Sequence, residues 1–174
     1  QIQKSREPMQ NKLPIGISTF STIRTEGYIY VDKTALIQQL IEQGRYYFLS
    51  RPRRFGKSLL VDTLKELFEG NEALFHGLAV HPSWDWTKRH PVVHISFNDG
   101  VHTDREQLDR SIRHQLEKNA IKLGISLKPG MITQQFEQLI EEAAVSFGQP
   151  AVVLIDEYDK PIIDQIQDKA QAAE

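Results

Sequence analysis

Apolar positions along the chain fall into two patterns, helical spacing and short continuous runs. Asp32 stands where a helix N-cap belongs, ahead of Leu36, Ile37, Leu40 and Ile41 at spacings of three and four, and Gly44 follows as a C-cap. The compact aromatic run RYYFLS at 45–50 reads as a strand. Leu60, Leu64, Leu67 and Phe68 then mark an amphipathic helix over 59–70 that stops at Gly70. PVVHISF at 91–97 predicts a second strand. Leu108, Ile112, Leu116 and Ala120 predict a helix over 104–123. After a break at 127–130, Phe136, Leu139, Ile140 and Ala143 predict another over 132–147, and AVVLI at 151–155 closes the pattern as a third strand. Residues 13–31 read as loop with a short strand at GYIYV, and 71–90, with Pro82, Trp84 and Trp86, as loop and short helix.

Strands alternating with helices of this length predict an α/β fold with a parallel sheet flanked by helices. The 174 residues suit one domain, here 13–174, behind a polar leader at 1–12. A net charge of −2 supplies no field that draws the chain to nucleic acid or an anionic membrane. The absence of cysteine excludes disulfides, thiolate metal sites and a cysteine nucleophile. Without a secretory h-region or an apolar run of membrane-spanning length, a cytoplasmic protein is expected.

The chemistry concentrates at RPRRFGKS, residues 51–58, between the 45–50 run and the 59–70 helix. Clustered phosphate charge is best met by backbone amides of a tight loop and the positive end of the helix after it. Gly56 lets the backbone approach closely, Lys57 reaches the β- and γ-phosphates, and the Ser58 hydroxyl is a magnesium ligand. Arg51 stands where the full G-x-x-x-x-G-K-[ST] pattern has its first glycine. The second motif is AVVLIDEYD at 151–159. Its apolar run delivers Asp156 to the carboxyl edge of a sheet, where it can hold magnesium, while Glu157 can polarise an attacking water.

Arg51, Arg53 and Arg54 form the densest positive cluster. Their place inside the loop, with no aromatic stacking platform beside them, argues for phosphate binding or a solvated face over a nucleic-acid patch. The six histidines show neither an i, i+4 pair on a helix nor a finger spacing, so no metal centre is expected from them. G-x-S-x-G is absent, as is the guanine-reading N-K-x-D.

The strings LPIGISTFSTIRTEGYIYVDKTALI, YFLSRPRRFGKSLL and VVLIDEYDKP resemble the AAA-ATPase-like family of prokaryotic proteins, over about residues 13–163. The family is similar to STAND-type and archaeal P-loop ATPases. The resemblance implies a P-loop NTPase fold of AAA/STAND-like type, with ATP and magnesium as cofactors. It implies a phosphate loop of Arg51, Pro52, Arg53, Arg54, Phe55, Gly56, Lys57, Ser58 and Leu59, with magnesium on Ser58 and Asp156 and catalysis by Glu157 and Lys57. Adenine rests on this resemblance. Many members look like fusions to a C-terminal PD-(D/E)xK nuclease-like domain. The chain ends soon after Pro161, so the expectation is the N-terminal part of a longer protein, incomplete at its C-terminus, with little ATPase activity of its own. In this class a strand encoded later separates the phosphate-loop strand from the magnesium strand. ATP hydrolysis coupled to conformational change or to control of an attached effector is expected. A nucleotide-sensing regulatory module with little turnover stays open, as does a homo-oligomer.

Overall fold

The computed structural model describes residues 12–50, 52, 54–97 and 105–157. Contacts divide the chain into two compact units, Gln1–Glu66 with Asn71–Trp84, and Leu67–Gly70 with Asp85–Glu174. The first contains α1 (Phe20–Thr25), α2 (Thr34–Gln43), most of α3 (Lys57–Phe68) and a 3-10 turn at Glu72–Phe75. The second contains β1 (Val92–Ser96), α4 (Arg105–Leu123), α5 (Ile132–Phe147) and β2 (Val152–Asp156).

The first unit closes around aromatic rings. Phe20 and Phe75 are wholly buried with centroids 4.9 Å apart, and Tyr30 meets Phe20 edge-on at 5.2 Å. Helix α1 occupies a stretch expected to be loop; burial of Phe20 and Ile23, one turn apart, outweighs the modest propensity of FSTIRT. GYIYV forms no strand, only a single bridge between Tyr28 and Lys12. Residues 45–50 form no strand either: an extended run becomes one only within a ladder, and among the described residues no strand lies alongside it. Tyr46 is 95% exposed there.

The cap of α2 is shifted from expectation. Lys33 holds the N-cap position, and Asp32 Oδ1 accepts from the Thr34 amide at 2.8 Å and the Thr34 hydroxyl at 2.7 Å. Its other oxygen accepts from the Ala79 amide at 2.7 Å, and Thr34 Oγ1 accepts from Val80 N at 3.1 Å. The D-K-T string therefore clamps the turn at 79–80 onto α2. Arg24 fixes the preceding stretch, donating to the carbonyls of Leu74 and His76, each at 2.7 Å.

In the second unit β1 and β2 run parallel in the register Val92↔Val152 to Ser96↔Asp156. Val93 and Ile95 pack with Leu116 and Ala120 of α4 and Leu139 of α5. Val152 N donates to Pro91 O and Phe97 N to Asp156 O, so the even residues of β1 turn their backbone away from β2. Helix α4 meets that outer edge with side chains. Asn119 accepts from His94 N and donates to His94 O, both at 2.9 Å, and Gln115 Oε1 accepts from Ser96 N at 2.6 Å. Asn119 thus mimics a neighbouring strand, and among the described residues no strand lies beyond β1. Among the described residues no strand pairs with the other edge of β2.

Two stability tests follow from these bonds. Asn119→Ala removes the side chain that meets the backbone N–H and C=O of His94 and is expected to lower the unfolding free energy by about 2–3 kcal/mol in urea titration; a loss below about 0.5 kcal/mol would contradict the edge-closing role. Burial alone would raise the Asp32 carboxyl, but bonds from Thr34 and Ala79, with Arg24 nearby, outweigh it and hold it below its ordinary value. A depressed carboxylate stabilises the fold above its unfolded pKa near 4, and that contribution fades as pH falls through the folded value. Asp32→Ala is therefore expected to cost about 1–2 kcal/mol at pH 7, the lower end because the group is exposed. The gap to wild type should narrow toward pH 3, and a gap independent of pH would refute this.

Candidate functional site

The residues expected to meet phosphate lead directly into α3. The helix begins at Lys57, two residues earlier than the apolar period predicts, because Leu60 N already bonds Gly56 O at 3.0 Å. Lys57 and Ser58 therefore lie in the first turn, where amides lack intrahelical acceptors and the helix dipole is positive. No acidic residue occupies that turn.

The loop ahead of it is strained. Arg54 has φ 67° and Gly56 φ 77°. A left-handed conformation suits glycine but costs a residue with a Cβ about 1–2 kcal/mol, and such strain gathers at binding sites. A Cβ at Gly56 would meet nothing within 4 Å, so space stands open in front of that backbone. Lys57, Ser58 and Leu59 are half-buried, while Pro52, Arg54 and Phe55 are exposed. Arg51 and Arg53 lie outside the described residues.

Below the loop, α3 is braced inside the first unit. Asp62 Oδ2 accepts from Phe20 N at 2.7 Å, and the Thr63 hydroxyl donates to Leu59 O at 2.7 Å. Glu66, 7% exposed, accepts from Lys65 at 3.0 Å and from Asn71 Nδ2 at 2.6 Å. Burial would push the Lys65 ammonium down, but Glu66 and Asp62 outweigh it and hold it above its ordinary value. The Asp62–Phe20 and Glu66–Asn71 contacts are not legible in spacing, since they depend on how α1 and the turn after α3 fold back.

Asp156 is the last residue of β2 and is 7% exposed. Its Oδ1 accepts from the Glu157 amide at 3.0 Å. Glu157 is half-buried and takes φ 55°, the second residue with a Cβ in the left-handed region among those described. The strand thus ends in a bent carboxylate pair at its carboxyl end, where open α/β sheets bind ligands. Arg54–Leu59 are carried by the first unit and Asp156–Glu157 by the second. Taken singly, the Ser58 hydroxyl and the Asp156 carboxylate are each hard oxygen donors, the type that magnesium takes.

A family model described as Predicted AAA-ATPase matches residues 14–174. The chain belongs to the AAA-ATPase-like family. This supports nucleotide binding as the family's province. A protein of Azotobacter chroococcum mcd 1, described as an uncharacterized protein in the vnfD 5' region, is 54% identical over 158 residues, 90% of this chain. The AAA-ATPase-like chain spans 31% of that relative's length. No solved structure matches it. Among the described residues no helix is long and apolar enough to cross a membrane.

Proposed function

We propose that this chain is a P-loop module that binds ATP with magnesium and, in a longer protein, hydrolyses it to drive a conformational change or control an attached effector such as a nuclease-like domain. The observation that carries the reading is the pair of positive φ angles at Arg54 and Gly56, immediately before a helix that starts at Lys57. Alternating backbone hands turn successive N–H groups toward one concavity, which suits a phosphate. Membership of the AAA-ATPase-like family supports a nucleotide as the purpose of this turn.

Each residue then has a part. The amides of Gly56 to Leu59 hold phosphate oxygens, and the Lys57 ammonium balances charge that grows on the transferred group. Arg51, Pro52, Arg53, Arg54 and Phe55 complete the loop. Ser58 and Asp156 would hold magnesium, which neutralises phosphate charge when bound. Glu157 orients a water and takes its proton as the water attacks the terminal phosphorus, and ADP leaves with its β-phosphate oxygen.

Lys57→Ala should lower affinity for labelled ATP at least about tenfold while the circular dichroism spectrum is unchanged, because charge-assisted contacts are the strong ones. Binding at wild-type strength would sink the assignment. Glu157→Gln should keep ATP binding and lower turnover about 10²-fold in the full-length protein. Unchanged turnover would move the general base elsewhere. Tight binding with no wild-type turnover would favour a nucleotide-sensing regulator.

A further inference from the structure

Three side chains from one short stretch gather on the first unit. Glu72 opens the 3-10 turn, His76 follows its last residue, and His81 lies on the next turns. One donor atom from each of Glu72, His76 and His81 lies within 4.8 Å of the other two. His81 Nε2 and Glu72 Oε1 are 3.2 Å apart. The two imidazole rings meet edge-on, with centroids 4.6 Å apart.

The backbone under these donors is fixed on both sides. His76 follows Phe75, which is fully buried, and its carbonyl is held by Arg24 at 2.7 Å. His81 follows Val80, also fully buried, whose amide is bonded to Thr34 Oγ1, while the Asp32 carboxylate holds Ala79. Glu72 and His76 are exposed and His81 half-buried. The donors therefore face water from a pinned scaffold, and only side-chain torsions separate them from a common centre.

The chemistry of the set is specific. Two imidazole nitrogens with one carboxylate oxygen suit zinc and its neighbours, whereas magnesium prefers oxygen alone. On a tetrahedral ion with bonds of about 2.0–2.1 Å, two ligand atoms sit about 3.3–3.4 Å apart. The His81–Glu72 spacing is already close to that, and the His76 donor needs only a side-chain rotation. We propose that Glu72, His76 and His81 form a site for one divalent transition-metal ion of the zinc type. With three protein ligands the remaining position goes to water or an incoming ligand, and the bound ion staples the 72–81 segment across its turns. This site is independent of the ATP reading and lies on other residues.

The test uses cobalt(II) as a spectroscopic stand-in for zinc, added to the 174-residue chain in millimolar magnesium, which occupies oxygen-only sites and leaves imidazoles accessible. The expected result is one equivalent bound, a visible d–d band that zinc abolishes, and a metal-dependent rise in unfolding temperature. His76→Ala and His81→Ala should each weaken cobalt affinity at least about tenfold, since even outer partners of a metal ligand are worth that much. Glu72→Gln, the mildest change, should weaken it in the same sense with the fold intact. A His76→Ala/His81→Ala double variant that binds cobalt as tightly as wild type would overturn the proposal. So would a wild-type chain that takes up none at micromolar free metal, which would reduce the Glu72–His81 contact to an ordinary hydrogen bond.

Discussion

Asn119 decides which way the sheet of the second unit can grow. A buried strand must pair its amides and carbonyls on both edges, and the outer edge of β1 finds its partners in Asn119 and Gln115 of α4. Helix α4 thereby does two tasks at once: Leu116 and Ala120 fill the core over Val93 and Ile95, while the polar residues between them finish the backbone accounting. The consequence falls on β2. A further strand of this sheet would add beside it, where its backbone edge has no strand partner among the described residues. Asp156 stands at the carboxyl end of that strand, the place where ligands of open α/β sheets gather.

The first unit answers the same requirement differently. Its core is small and aromatic, and ionic and hydroxyl groups hold the connections between helices. Asp32 and Thr34 clamp the 79–80 turn, Arg24 takes two carbonyls near the 3-10 turn, and Asp62 ties α3 to the start of α1. A helix braced in this way can carry a strained entry. The positive φ angle at Arg54 costs stability locally, and the half-buried Lys65–Glu66–Asn71 contacts further along α3 hold the helix that offsets it.

Much of the framework is legible from period alone. Helices α2, α3, α4 and α5 and the strands around 92–96 and 152–156 all fall where apolar spacing puts them, and each buries at least one residue of the stripe that announces it: Ile37, Leu67, Leu116, Leu139, Val93 and Leu154. Misreadings occur where local sequence and tertiary context disagree. RYYFLS has strand composition but no ladder partner among the described residues, and FSTIRT has poor helix composition but buries Phe20 and Ile23. Of the candidate site, Gly56, Lys57, Ser58 and Asp156 stand out because phosphate and magnesium chemistry demand those residue types in that order. The left-handed turns at Arg54 and Glu157 are invisible, since neither residue advertises a positive φ. The Glu72–His76–His81 group is equally hidden. It arises from successive tight turns between buried Phe75 and Val80, and a helical or finger spacing would not find it.

Nucleotide binding at the entry to α3 is what the function proposed for this chain requires. Backbone amide chemical shifts of the isotope-labelled chain, followed as ATP and magnesium are added, test this directly, since amides that donate to phosphate shift strongly. The largest changes are expected at Gly56, Lys57, Ser58 and Leu59, with a magnesium-dependent change at Asp156. Saturable ATP binding whose shifts cluster elsewhere, or no binding at millimolar ATP with the fold intact, would contradict it.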